Sequence, residues 1–128
     1  MKRECMETVV VRIAAKKGME DKVEEFYLRQ QAEYEAAEGF VDRTILRART
    51  GTMIKTILSR LTPEQIASHP KPPEPEGEQG TEFLLIERWE SIDARTNFTM
   101  SRSKERDKDL FPYLLPQHAS EYYDEVTG

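Results

Sequence analysis

Between Thr8 and Ala15 the chain alternates, with Val9, Val11, Ile13 and Ala15 on one face and Val10, Arg12 and Ala14 on the other. This two-residue period predicts a first strand. Lys16-Lys17-Gly18 makes a turn, and the period then lengthens: Val23, Phe26, Tyr27, Gln30, Tyr34 and Ala37 recur every three or four positions among Glu, Lys and Arg. That spacing predicts an amphipathic helix of about five turns. Gly39 suits the left-handed residue just past the helix end, and Phe40 to Ala48 reads as a second strand. In it Phe40, Thr44, Leu46 and Ala48 share one face, while Val41, Arg43, Ile45, Arg47 and Arg49 share the other, strongly cationic one.

From Gly51 the pattern is ambiguous, because Met53, Ile54, Ile57, Leu58 and Leu61 fit either an extended arm or a short helix. Thr62-Pro63 reads as an N-cap followed by proline in the first helical position, so a short helix to about Ser68 is expected. His69 to Gly80 holds Pro70, Pro72, Pro73 and Pro75 with Gly77 and Gly80, and reads as a surface insertion.

The clearest signal lies between Phe83 and Ala94. Phe83, Leu85, Glu87 and Trp89 fall on one strand face and Leu84, Ile86 and Arg88 on the other, so large apolar groups point both ways and both sides need cover. Ser91 then suits an N-cap, and Asp93 places a carboxylate in the first turn of the next helix, where the helix dipole favours it. That helix carries Ala94 and Phe98, whereas 101–109 is charged and without apolar anchors. Leu110 to Pro116 reads as an apolar connector and Ala119 to Val126, with Tyr122 and Tyr123, as a last strand.

The order is β-α-β, a long insertion at about 51–80, then β-α-β within one domain spanning 1–128. Two such units predict an α+β, ferredoxin-like architecture, an antiparallel sheet with both helices on one face. The other face is left bare, and because the third strand is apolar on both sides and the second carries Val41 and Ile45 among its arginines, a symmetric homodimer is the simplest cover.

Composition narrows the function. A net charge of −5 over 128 residues argues against nucleic acid, whose phosphates are gripped by surplus Lys and Arg. Met1 to Cys5 is followed by no apolar run long enough for a signal peptide or a membrane span, which predicts a cytoplasmic protein without membrane attachment. Cys5 is the single cysteine, so no internal disulfide forms, and two distant histidines with no thiolate cluster suggest no metal site.

The first strand with Lys17-Gly18, the helix ending in Glu38-Gly39-Phe40, and the Trp89-Glu90-Ser91 strand-to-helix signature with Ala94 resemble the antibiotic biosynthesis monooxygenase (ABM) family of the dimeric α+β barrel fold. The resemblance covers about 8–48 and 81–126 and leaves 51–80 as an extension unlike the usual short connection. It implies a homodimer whose sheets pack face to face. It also implies a monooxygenase working without metal or flavin on a small electron-rich aromatic or quinol-like substrate, held between sheet and helices. Carried over, Trp89 and Phe98 would line that pocket and Tyr27 would offer a phenol; the plainer reading makes all three core aromatics. Heme-degrading relatives need an axial His beyond the position of Phe98, where this chain has Arg102 to Lys108, and an Asn on the first strand that is missing from Val9 to Ile13, so heme is not expected.

Of the two histidines, His118 is the candidate general base, because imidazole is poised near neutral pH and this residue precedes the last strand; a structural His is its alternative. His69 falls in the Pro-rich insertion and reads as solvated. Arg43, Arg47 and Arg49 either meet carboxylates of a partner subunit, with Glu121, Asp124 and Glu125 as obvious candidates, or bind an anionic or enolate-like ligand, for which Arg47 is the candidate. The competing function is a noncatalytic dimeric module that binds a ligand or protein through the extension, and an enclosed cavity with a buried Tyr or His would separate the two.

Overall fold

A computed structural model of the chain describes residues 6–68, 80–102 and 108–127. Cys5, His69, the Pro-rich stretch up to residue 79 and the charged residues 103–107 lie outside the described residues.

Four strands form one antiparallel sheet: β1 (Glu7–Lys16), β2 (Phe40–Arg47), β3 (Gly80–Trp89) and β4 (Leu114–Tyr123), in the order β2-β3-β1-β4. This is the expected α+β, ferredoxin-like arrangement. The two strands with the most continuous apolar sequence take the centre, paired without interruption from Glu7 opposite Trp89 to Lys16 opposite Gly80. One face is covered by α1 (Glu20–Arg29), α2 (Gln31–Ala36) and α5 (Ile92–Ser101). Two apolar clusters lie beneath them. Ile13, Ala15, Val23, Phe26, Tyr27, Phe83, Leu85 and Leu110 form one, and Val9, Tyr34 and Trp89 form the other with Phe40, Ala94 and Phe98 packed against them.

The sequence predicts one long helix where the structure has two, joined at Gln30. The Arg43 guanidinium donates to the Tyr27 carbonyl, and a side chain inserted into the helical hydrogen-bond ladder is a recognised cause of a bend. The segment left open between arm and helix is helical, α3 (Thr52–Ser59), followed by α4 (Pro63–Ser68). The capping of α4 is reciprocal: the Thr62 hydroxyl accepts from the Gln65 N–H at 3.2 Å, and the Gln65 side chain accepts from the Thr62 N–H at 2.9 Å. Neither α3 nor α4 buries a residue.

Three expectations are corrected. The last strand starts at Leu114 rather than Ala119, and it accommodates Pro116 because β4 is an edge strand whose register against β1 shifts between Ile13 and Ala15. In β2 the register shifts between Phe40 and Asp42, so Phe40 stands opposite Trp89 on the covered face while Asp42, Thr44 and Leu46 stand on the bare one. The cationic side of β2 therefore also lies on the covered face, with Arg43, Ile45 and Arg47 opposite Glu87, Leu85 and Phe83. The carboxylates that meet Arg47 are Asp21 at 2.9 Å and Glu24 at 3.4 Å, both on α1 of the same chain. Long guanidinium arms on an edge strand reach the overlying helix before they reach another molecule.

Gly39 fixes how α5 enters. Its φ is +84°, its carbonyl accepts from the Glu90 N–H at 2.7 Å, and a Cβ there would stand 2.4 Å from the Ala94 Cβ. Ser91 caps α5 by accepting from the Ala94 N–H at 3.0 Å. The Gly-Phe and Trp-Glu-Ser-x-x-Ala segments singled out in the sequence thus meet at one corner. Among the described residues, no helix is long and apolar enough to cross a membrane.

Candidate functional site

A cleft of about 440 Å³ opens between the covered sheet face and the helices. Val11, Ile13, Leu85, Leu110 and Leu114 give it hydrocarbon walls. Tyr27, Gln30, Tyr34, Glu87, Arg95, Arg102, His118 and Ser120 bring polar groups to it. The two candidate catalytic residues therefore share one cavity: Tyr27 comes from α1, and His118 comes from β4, where it stands opposite Ile13. Tyr27 is buried, whereas His118 sits on the exposed edge strand at the cleft mouth.

Trp89 and Phe98 stand beside the cleft rather than on its wall. With Tyr34 and Phe40 they form an aromatic cluster, at 5.4 Å between the Trp89 and Phe98 centroids and 4.7 Å between Tyr34 and Phe98. Tyr34 belongs to both the cluster and the cleft. Arg47 lies outside the cleft lining, tied to α1 as described above.

The sequence reading did not single out Glu87, although it is the most unusual group in the site. Its side chain is 1% exposed in the middle of the central strand. One carboxylate oxygen, Oε1, accepts from the Trp89 indole N–H at 2.8 Å and from Arg95 Nε at 2.9 Å. Trp89 reaches it because residues two apart share a strand face, and Arg95 reaches it from the first turns of α5. Burial alone would pull the Arg95 guanidinium down, but the Glu87 charge and hydrogen bond outweigh it and hold Arg95 above its usual range.

Arg102, at the end of α5, donates to the Tyr34 hydroxyl at 3.3 Å, and Arg43 stacks over the same ring at 4.0 Å from its centroid. Burial, followed by the nearby Glu87 charge, pushes the Tyr34 phenol above its ordinary range, so it remains a neutral hydrogen-bonding group at physiological pH.

Signals for two of these residues were present in the chain. Glu87 shares its face with Phe83, Leu85 and Trp89, an acid in an apolar row, and Gln30 falls on the apolar stripe of the first helix. A polar residue at a core-facing position is the informative exception. Nothing in the local pattern marks Arg95 or Arg102. Among the described residues, no cluster of His, Cys, Asp and Glu has the makings of a metal site.

The fold is shared with several solved structures. SnoaB, a cofactor-independent oxygenase from Streptomyces nogalater, superposes with a TM-score of 0.59 at 15% identity, over 94% of this chain and 95% of that one. A putative antibiotic biosynthesis monooxygenase from Nitrosomonas europaea gives 0.64 at 10% identity, over 95% and 91%. Another from Bordetella bronchiseptica gives 0.64 at 15%, over 94% and 97%. No protein-family model matches the sequence, and no curated protein matches it. The chain thus has the ABM fold, at identities that establish architecture and leave the reaction to be argued from the site.

Proposed function

We propose that this protein is an ABM-type, cofactor-independent monooxygenase that acts on a small electron-rich aromatic or quinol-like compound. The observation that carries this reading is the cleft: an apolar-walled cavity in this fold that brings together an imidazole, buried phenols and a buried carboxylate paired with a half-buried arginine. His118 is the candidate base, with Tyr27 positioning the substrate by a hydrogen bond. The base takes a proton from an activated C–H or O–H of the substrate, and the electron pair stays behind on the substrate. The resulting carbanion or phenolate passes an electron to dioxygen, and recombination forms a substrate hydroperoxide. For a methylene group, loss of water from that hydroperoxide leaves a carbonyl, so one oxygen atom enters the product and the other leaves as water. The hydrocarbon on the sheet side of the cleft, from Val11, Ile13 and Leu85, favours this chemistry by giving the substrate ring an apolar bed. Trp89 and Phe98 back the cleft and hold Tyr34 in place, and Arg47 fastens β2 to α1.

A homodimer completes the proposal, with the bare sheet faces of two cytoplasmic copies packed together. Leu46, 46% exposed, and the half-buried Val10, Leu84 and Ile86 support it by leaving an apolar band on that face.

Oxygen uptake by metal-stripped protein given a panel of anthrones and hydroquinones tests the reaction. We expect uptake above the uncatalysed rate, reduced about a hundredfold or more in His118→Asn. Absence of uptake on every compound would turn the assignment to a binding module.

A further inference from the structure

Gln30 joins α1 to α2, and its side chain is turned into the protein: the residue is 6% exposed and lines the cleft. Its side-chain oxygen is buried and has no hydrogen-bond partner among the described residues. Its neighbour Gln31 is partnered, accepting from Arg43 Nε at 3.2 Å and donating to Glu35. Native proteins leave few buried polar atoms unpaired, and one that borders a cavity is normally met by whatever fills that cavity. An aromatic ligand that fills the cleft must bring a donor that reaches the amide oxygen or leave it stranded.

We infer that Gln30 is the specificity-determining residue of the cleft, accepting a hydrogen bond from a hydroxyl group on a flat apolar ligand. The inference rests on the cleft being the ligand site proposed above, and it names what that site selects: phenols and naphthols over their methyl ethers. Glu87 acts in the same direction. Its Oε1 is taken by Trp89 and Arg95, and its Oε2 receives no hydrogen bond among the described residues, so the cleft offers a second acceptor. The hydrocarbon of Val11, Ile13 and Leu85 holds the ligand body without discriminating between the two kinds of compound.

The test is calorimetric titration of the full chain, under nitrogen, with 1-naphthol and with 1-methoxynaphthalene. The expected result is at least tenfold tighter binding of 1-naphthol. In Gln30→Met, which keeps the length of the side chain and removes the acceptor, the ratio should fall to within about twofold through weaker naphthol binding. Gln30→Glu, which keeps an acceptor, should retain the preference. Equal affinities in the unmodified protein, a preference for the ether, failure of 1-naphthol to bind, or a preference that survives Gln30→Met would each overturn the inference. The first three readings need no variant, so they stand even if a substitution impairs folding. Because dioxygen is excluded, the outcome is separate from turnover. A hydroxyl preference in a protein that never consumes oxygen would retire the oxygenase alone, and an active oxygenase with equal affinities would retire only the role of Gln30.

Discussion

Glu87 and Arg88 are neighbours in β3, yet they belong to two different kinds of surface. Glu87 points to the helix-covered face, where its ion pair with Arg95 has side-chain exposures of 1% and 20%. Arg88 points to the bare face, where it pairs with Asp42 at 49% and 42% exposure, and the Arg12–Glu82 pair on the same face is similarly open. The same chemical pairing thus occurs on either side of one strand with opposite solvation. On the covered side the carboxylate has lost its water and the guanidinium most of it, so the partner is indispensable to the carboxylate; on the bare side water remains and the partner is optional. The difference also separates roles. The covered face holds the cleft and its acceptors, while the bare face presents exposed charges around an apolar band, the surface of the proposed dimer.

The sharpest way to break this comparison is to remove one arginine from each side. Arg95→Met leaves a buried carboxylate without its counter-charge and should cost about 3–5 kcal/mol in urea denaturation, whereas Arg88→Met should cost at most about 1 kcal/mol. Combining Arg95→Met with Glu87→Gln, which keeps an acceptor for the Trp89 indole, should recover most of the loss. Equal costs for the two arginines would show that burial does not distinguish the faces.

The corner that docks α5 over the covered face comes next in size. Gly39→Ala forces a Cβ into a positive-φ position and against Ala94, and about 2 kcal/mol of destabilisation is expected, part of it returned by pairing the change with Ala94→Gly. A smaller effect is expected at the bare face. Ile86→Lys should weaken self-association by at least about tenfold in sedimentation equilibrium while leaving monomer stability nearly unchanged, because the apolar band is lost and no core cavity is made. An unaltered assembly would remove that face from the proposed dimer.

The pH dependence gives the finest distinction. The hydrogen bond from Arg88 holds the Asp42 carboxyl below its usual range, so this stabilisation is complete above the ordinary carboxylate pKa of about 4 and is lost as the pH falls through the depressed folded-state value. Asp42→Asn should flatten that part of the acid limb. Tyr34 behaves in the opposite sense. Its raised folded-state pKa gives stability that is complete below about pH 10 and is lost as the pH rises through the folded value, and Tyr34→Phe should flatten the alkaline limb. Thermal melts across both ranges would detect the two effects separately.

The periodic parts of the chain were legible because burial imposes a period. β1 and β3 follow their alternation, Ser91 caps α5 as read, and the stripe from Val23 to Tyr34 packs against the sheet. What failed did so where a register shift or an edge intervened. One extra residue at Val41 moved Phe40 to the other face, and the edge position of β4 let a strand run through Pro116. The site was partly legible. Tyr27 and His118 were named from residue chemistry and the family resemblance, and they share the cleft, while Arg47 was read as facing a partner or ligand and instead meets α1.

By itself the sequence determined the element types and order of the four strands and the helices over the sheet, though not of the segment after Gly51, and most of the residues that had to be buried, since hydrophobic period and capping are local properties carried by neighbouring residues. It also held Glu87 and Gln30 in apolar rows, without saying what would meet them. Only the tertiary structure decided that Arg95, from another element, pairs with Glu87, that the Gln30 side chain lines the cleft with its oxygen unpaired among the described residues, and that the arginines of β2 turn to their own helices. Those outcomes depend on which faces are brought together in space, and charge pairing and desolvation are set by distance across the fold rather than by separation along the chain.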